Sequence, residues 1–177
     1  MATTKWALDP AHSEVLFKVK HLMITNVTGL FKSFGGEVET EDEDFSKAKI
    51  SFWADVSSIS TGSADRDGHL QSPDFFDAAN HPKITFDGTS LAKNADGDYT
   101  LTGNLNMHGV SKPVQLAVEY SGVAKDPWGN SKAGFTITGK INRKDWGLIW
   151  NVATEAGGVL VSEEIRINCE IQLLKQA

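Results

Sequence analysis

Apolar and polar residues alternate along several stretches of the chain, and short turns separate most of them. In the last stretch, Ile165, Ile167 and Cys169 alternate with Arg166 and Asn168. A period of two is typical of a β-strand with one dry face and one wet face. The alternation therefore predicts strands at residues 4–8, 12–21, 30–40, 48–56, 82–91, 97–108, 113–124, 131–142 and 162–174.

Strands with one dry face must share an interior. If each strand pairs with the next and the sheet closes on itself, the chain is all-β and forms an eight-stranded antiparallel up-and-down β-barrel. The long connection 57–81 loses the alternation and is expected to contain short helical turns. Ser72 and Pro73 are suited to the start of one such turn, with Ser72 as the N-cap and Pro73 at the first helical position.

Successive connections of such a barrel alternate between its two ends. One end is expected to collect 22–29, 57–81, 109–112 and 143–161, and the other end 41–47, 92–96 and 125–130. The first set brings together most of the imidazole and cationic groups near turns: His21, Arg66, His69, His81, His108, Lys112, Arg143 and Lys144. The second set includes the acidic run 41–44. The sequence thus predicts an elaborate cationic rim at one end and a plain acidic opposite end.

Strand parity also assigns the side chains that face the interior, and almost all are apolar. The predicted lining is Val15, Phe17, Val19, Phe34, Val38, Ile50, Phe52, Val56, Ile84, Phe86, Leu101, Leu105, Met107, Leu116, Val118, Phe135, Ile137, Ile165 and Ile167. Gly36, Gly103 and Gly139 share this face and remove bulk from it. An eight-stranded barrel is near the size at which side chains fill the interior or leave room for one ligand, so a solid core and an apolar tunnel both remain open.

Composition narrows the class of protein. The chain of 177 residues is expected to form one domain over 1–177, and its net charge of −6 argues against a nucleic-acid partner. Cys169 is the single cysteine, so no internal disulfide forms. No apolar run is long enough for a transmembrane segment or a signal peptide. We therefore expect a cytoplasmic protein, or a periplasmic one if a leader has been removed.

Sequence motifs for catalysis are absent. There is no metal-ligand spacing, nucleophile elbow, phosphate loop or dinucleotide fingerprint, so neither a catalytic residue nor a metal site is predicted. Arg66 with Asp67, and Arg143 with Asp145, are expected to pair and hold irregular loops over the barrel opening. The alternative is that one arginine stays partly free and binds an anionic head group. Arg66 is favoured for that role because a nearby helical turn adds backbone donors.

A series of short motifs resembles the YceI-like family of bacterial lipid-binding proteins, in the family's order and through nearly the whole chain. The motifs occupy residues 12–17, 21–23, 27–31, 34–36, 58–62, 66–70, 72–77, 82–86, 103–110 and 142–148. The resemblance implies a lipocalin-like barrel with a long apolar tunnel that binds polyisoprenoid chains, including isoprenoid diphosphates or quinone tails. Many relatives carry a secretory leader, whereas none is visible here. Dimers occur in the family, so the resemblance also allows a homodimer.

The resemblance and the residues together predict a noncatalytic protein that stores, sequesters or transports an isoprenoid lipid. The lipid is the expected ligand, no other cofactor is implied, and His21, Arg66, His69 and Arg143 are assigned to the head-group rim. Two alternatives stay open. One is an enzyme that acts on an isoprenoid diphosphate at the rim, and the other is an interaction module with a filled core.

Overall fold

The computed structural model describes residues 2–42, 44–151 and 160–176. Within these ranges, eleven β-strands form one antiparallel sheet. They are β1 Thr3–Leu8, β2 Glu14–His21, β3 Thr25–Phe31, β4 Phe34–Glu41, β5 Asp44–Asp55, β6 Ile59–Ser60, β7 Lys83–Lys93, β8 Tyr99–Met107, β9 Val110–Lys125, β10 Ser131–Asn142 and β11 Glu164–Lys175. Glu43 of the predicted acidic end and residues 152–159 of the predicted rim loop lie outside the described residues.

The sheet closes because β11 pairs with β1 and β2 in succession. Leu173 is opposite Leu8 of β1, and Cys169 is opposite Val15 of β2. Consequently β1 and β2 are two parts of one barrel strand, interrupted by a 3-10 turn at Pro10–His12. The same relation joins β3 to β4 and β5 to β6, so the eleven segments form eight barrel strands. The predicted eight-stranded antiparallel up-and-down barrel is confirmed.

The predicted strand 30–40 is wrong in its bounds, because the chain bends at Lys32 and Ser33. The Asp55 backbone N–H donates to the Ser33 carbonyl at 2.9 Å, and the Ser33 hydroxyl donates to the Asp55 carboxylate at 2.7 Å. These bonds replace the regular ladder at the level where β5 also gives way to a 3-10 turn. Above the bend the strand continues back to Thr25, so most of the predicted loop 22–29 is β3.

The connection 57–81 contains a helix, which the sequence did not locate, followed by the predicted turn. Helix α1 spans Ala64–Gln71, and its N-cap is Ser63, whose hydroxyl accepts from the Arg66 backbone N–H. Asp65 lies in the first turn, where its negative charge interacts favourably with the positive N-terminal end of the helix dipole. Ser72 ends α1, because its N–H and hydroxyl both donate to the His69 carbonyl. Ser72 also begins the predicted turn over 73–76, since its hydroxyl accepts from the Asp74 N–H and its carbonyl from the Phe75 N–H. This is the one α-helix in the described ranges, and none of their helices is long and apolar enough to cross a membrane.

The predicted strand 113–124 starts at Pro113, yet β9 begins three residues earlier at Val110. The register explains why the strand tolerates it. On the β8 side, Pro113 is opposite Asn104, whereas the ladder to β10 starts only at Ala117. The missing N–H of proline therefore interrupts no ladder on that second side.

Aromatic side chains close the end of the barrel opposite α1. Trp6, Phe45, Tyr120 and Phe135 form this cluster, which we call the aromatic base. Ring centroids are 5.1 Å apart for Trp6 and Phe45, and again 5.1 Å apart for Phe45 and Phe135. The end that carries the β2–β3 turn, α1 and the 3-10 turn Arg143–Trp146 is called the rim.

Glycines on the inner face let large neighbours lie flat against the sheet. A Cβ added to Gly103 would lie 2.4 Å from the Phe86 ring and 2.5 Å from the Asp87 carbonyl oxygen. The second contact is with backbone, which has little freedom to move.

Gly103→Ala should therefore lower the free energy of unfolding by about 1–3 kcal/mol, because strands β7 and β8 must separate locally. Gly68→Ala is the matched control: Gly68 lies on α1 with open space at its Cβ, and this change should stabilise by up to about 1 kcal/mol. Urea unfolding of both variants gives the comparison. Equal effects would contradict the packing argument.

Candidate functional site

A cavity of about 400 Å³ runs inside the barrel from the aromatic base to the rim. Several side chains that point into it, such as Val15, Val19, Ile165 and Ile167, are only half-buried although they face the interior. In a solid core these positions would be fully buried. Of the two interiors that the sequence left open, the structure has the hollow one.

The predicted lining residues all lie on the cavity wall except Phe34 and Val56. Both exceptions are buried in an apolar cluster with Ala54, Ile59 and Trp146. Val56 belongs to a 3-10 turn, where the period of two no longer gives a side chain's direction. Phe34 keeps the inner parity of β4 opposite Ala54, but it packs within this cluster and does not border the cavity. For the residues on the wall, contact with a ligand stays a prediction.

The structure adds wall residues that the sequence reasoning missed. On the strands they include Leu8, Phe31, Phe45, Leu91, Ile141, Ile171 and Leu173. Extending the same parity gives Ile141, Ile171 and Leu173, whereas Phe31, Phe45 and Leu91 are out of phase with it because of the bend at Ser33 and the irregular pairings of β5 and β7. Val114 and Cys169, which parity places on the inner face, also border the cavity. At the rim, Leu70, Phe75, Phe76, Trp150 and Leu160 come from the helix and loops, where no alternation marks them. Glu37 and Ser51 border the cavity beside Gly36, but both residues are exposed and stand at outward positions of β4 and β5.

The four predicted head-group residues, His21, Arg66, His69 and Arg143, all border the cavity at the rim. Arg66 does not pair with Asp67, which corrects the expectation. Its guanidinium donates to the Thr61 hydroxyl at 2.7 Å and to the Thr61 carbonyl at 2.6 Å. The Asp67 carboxylate accepts from the Thr61 N–H at 2.8 Å and from its hydroxyl. Both side chains thus fasten Thr61 to α1.

Arg143 is 2% exposed and does not pair with Asp145 either. Its guanidinium donates to three backbone carbonyls, those of Ser162 at 2.9 Å, Leu148 at 2.6 Å and Val161 at 3.3 Å. Burial lowers the pKa of Arg143 below its ordinary value, and the nearby Glu163 carboxylate opposes that shift. Arginine stays charged even so. The buried cation therefore ties the loop after β10 to the start of β11.

His69 stands between a carboxylate and two aromatic rings. Its Nε2 is 2.9 Å from the Asp74 carboxylate, and its ring meets Phe75 edge-on at 5.1 Å and Trp150 edge-on at 4.6 Å. Phe75 also lies beneath the Arg143 guanidinium at 5.9 Å. Helix α1, the following loop and the loop after Arg143 therefore meet in one contact group over the cavity.

Cys169 is the one thiol, and it borders the cavity halfway along β11. Burial raises the pKa of this thiol to about 11. It is therefore a protonated, weakly nucleophilic wall residue at neutral pH. Among the described residues there is no group of three or more His, Cys, Asp and Glu side chains placed to hold a metal ion.

Known proteins share this sequence and architecture. The sequence model of the family described as the YceI-like domain matches residues 6–173 of this chain. A UPF0312 protein of Staphylococcus aureus is 36% identical over 170 residues, which is 96% of this chain and 96% of the relative. The crystal structure of the Campylobacter jejuni YceI protein is 32% identical with a TM-score of 0.77, covering 89% of this chain and 90% of the other.

A more distant structure has the same fold. It is a polyisoprenoid binding domain from Saccharophagus degradans implicated in plant cell wall breakdown, with 18% identity and a TM-score of 0.68. The alignment covers 95% of this chain and 97% of that domain.

Arg143→Met should destabilise the protein by about 3 kcal/mol, because it leaves three carbonyls without donors in a buried site. Arg66→Met is the matched control. Arg66 is exposed, so this substitution should lower the free energy of unfolding by less than about 1 kcal/mol. Thermal and urea unfolding measure both. Equal losses would show that Arg143 is not the anchor of the rim.

Cys169 should react with iodoacetamide at pH 8 roughly 100-fold more slowly in the native protein than in urea, because a pKa of about 11 leaves little thiolate. Mass spectrometry of quenched samples follows the single adduct. Fast native labelling would mean that the wall around β11 opens readily.

Proposed function

The chain belongs to the YceI-like family, and from that premise we propose that its cavity binds one polyisoprenoid chain, such as the tail of a quinone or of a polyprenyl diphosphate. The observation that carries the proposal is the continuous apolar cavity of about 400 Å³ that begins at the rim. Pockets for small ligands have volumes of this order.

The chemistry of the wall selects hydrocarbon. Below the rim, the inward side chains are aliphatic or aromatic, with Cys169 held as the neutral thiol. A ligand placed there loses contact with water and finds few hydrogen-bond partners, so a polar or charged chain would be excluded. Each 100 Å² of apolar surface that leaves water contributes roughly 2.5 kcal/mol.

The shape of the cavity selects a long and narrow ligand. Along β11 the wall extends from Ile165 near the rim to Leu173 beside the aromatic base. With the usual rise per residue and strand tilt, this corresponds to roughly 20 Å along the barrel axis. An extended chain of several isoprene units fits such a bore, whereas a compact ligand of the same volume leaves its ends empty.

The head group belongs at the rim, next to His21, Arg66, His69 and Arg143. The protein already uses much of their hydrogen-bonding capacity: Arg66 and Arg143 donate to backbone carbonyls, and His69 is paired with Asp74. The tail therefore supplies most of the affinity. We propose binding rather than catalysis, in keeping with the YceI-like family and with the binding domain that shares the fold.

The fold likeness agrees with this proposal. The Saccharophagus degradans domain of the same fold is described as polyisoprenoid binding. Storage, sequestration and transport of the lipid all require the same cavity.

Organic extraction of the purified protein followed by mass spectrometry is the decisive experiment. We expect roughly one isoprenoid lipid per protein chain, retained through purification because its tail is removed from water. The spectrum also identifies the head group. Protein that is folded, yields no lipid and takes up no added isoprenoid would refute the proposal.

A matched pair of tryptophan variants tests the position of the ligand. Ile167→Trp adds bulk in the middle of the bore, whereas Asn168→Trp adds the same bulk to the exposed face of the same strand. Ile167→Trp should reduce lipid retention about tenfold, and Asn168→Trp should leave it unchanged. Circular dichroism verifies the fold of both, and equal retention would contradict binding inside the barrel.

A further inference from the structure

The turn between β2 and β3 exposes three consecutive apolar side chains. Leu22 is 41% exposed, Met23 51% and Ile24 79%, and we call these three residues the apolar turn. Nothing in the described structure covers them. Exposed apolar residues that are contiguous in sequence and space are typical of surfaces that bind a partner or a membrane.

The backbone of the apolar turn is unfavourable for its own residues. Leu22 has φ 53° and Met23 has φ 60°, and the Ile24 N–H donates to the His21 carbonyl at 3.2 Å. A turn with two positive φ angles favours Asn and Gly, and bulky side chains are strained in it. The turn between β8 and β9, also at the rim, has the expected residue type, with Gly109 after His108.

Stability therefore does not explain the choice of leucine and methionine at these positions. Their side chains gain little from packing, since both are exposed, and their backbone is strained. Residues kept in a strained conformation at a surface point to a function of that surface.

The apolar turn is continuous with the rim of the cavity. The Leu22 N–H donates to the Leu160 carbonyl at 2.8 Å, and His21 pairs with Val161. His21, Leu160 and Val161 all border the cavity. Ile149, which is 67% exposed, lies between the wall residues Leu148 and Trp150 on the same rim.

The charges on the upper part of the hairpin that carries the apolar turn have one sign. Residues 16–30, which form the upper part of the hairpin, contain no aspartate or glutamate. Lys18 and Lys20 are exposed on β2, and neither ammonium forms an ion pair with a carboxylate in the described ranges. On the adjacent β11, Glu164 is already paired with Lys140 and Arg166.

We propose that the apolar turn docks on a lipid bilayer with anionic head groups, and so brings the cavity opening to the membrane surface. Leu22, Met23 and Ile24 enter the boundary between head groups and acyl chains, while Lys18 and Lys20 contact the anionic head groups. A lipid can then pass between bilayer and cavity with little exposure of its tail to water. The proposal goes beyond ligand binding, because docking requires no occupant in the cavity.

The test is sedimentation of the full chain with vesicles of phosphatidylglycerol and phosphatidylcholine. The double variant Leu22→Asn with Met23→Gly gives the turn its preferred residues, so its melting temperature should equal or exceed that of the wild type. Its vesicle binding should nevertheless fall about tenfold. Lys18→Gln with Lys20→Gln should weaken binding and reduce its salt dependence.

Trp128→Ser is the matched control, because Trp128 is 83% exposed in the β9–β10 turn at the opposite end of the barrel. It should bind vesicles as the wild type does. Absence of wild-type binding, or an equal loss in Trp128→Ser, would overturn the proposal. A wild-type dimer that the turn variant converts to a monomer would also overturn it, because the apolar turn would then be a subunit contact. Ile167→Trp should still bind vesicles, which separates this proposal from that of the lipid cavity.

Discussion

The closure of the sheet at Trp6 is the constraint on which the rest of the barrel depends. Trp6 is 1% exposed and pairs with Lys175 across the seam between β1 and β11. Its indole N–H donates to the Thr40 hydroxyl, which in turn donates to the Asp42 carbonyl. The same ring packs on Phe45. One side chain thus holds the seam and the aromatic base together, and an open seam would expose unpaired backbone along two strands.

The aromatic base is filled by packed rings, and it stabilises a barrel whose remaining length is hollow. Above Phe45 and Phe135 the inward residues are mostly aliphatic, and they reach only part of the way to the axis. A hollow interior forfeits dispersion contacts and costs stability. The protein offsets this cost with the aromatic base and with a second cluster behind the bends at Ser33 and Val56.

The alternation of apolar and polar residues was sufficient to predict the barrel and most of the cavity wall, because inside a regular strand a side chain's direction depends only on parity. It failed at two positions. Val56 lies in a 3-10 turn, and Phe34 keeps the inner parity opposite Ala54 but packs within the second cluster instead of on the cavity wall. It also missed Phe75 and Trp150, because loop residues have no period. The sequence predicts an ion pair between Arg143 and Asp145. In the structure the Arg143 guanidinium is instead hydrogen-bonded by backbone carbonyls that converge on it from separate loops, and no local sequence pattern reveals such an arrangement.

The hydrogen bonds that the two rim arginines already make to the protein have a consequence for specificity. Arg66 and Arg143 have committed donors to the backbone, so a head group gains little from them that it does not already have in water. Discrimination must then come from the bore, where length and cross-section decide how much apolar surface is removed from water. If the cavity binds a lipid tail as proposed, a wall of uniform chemistry distinguishes chains by shape and hardly at all by head group.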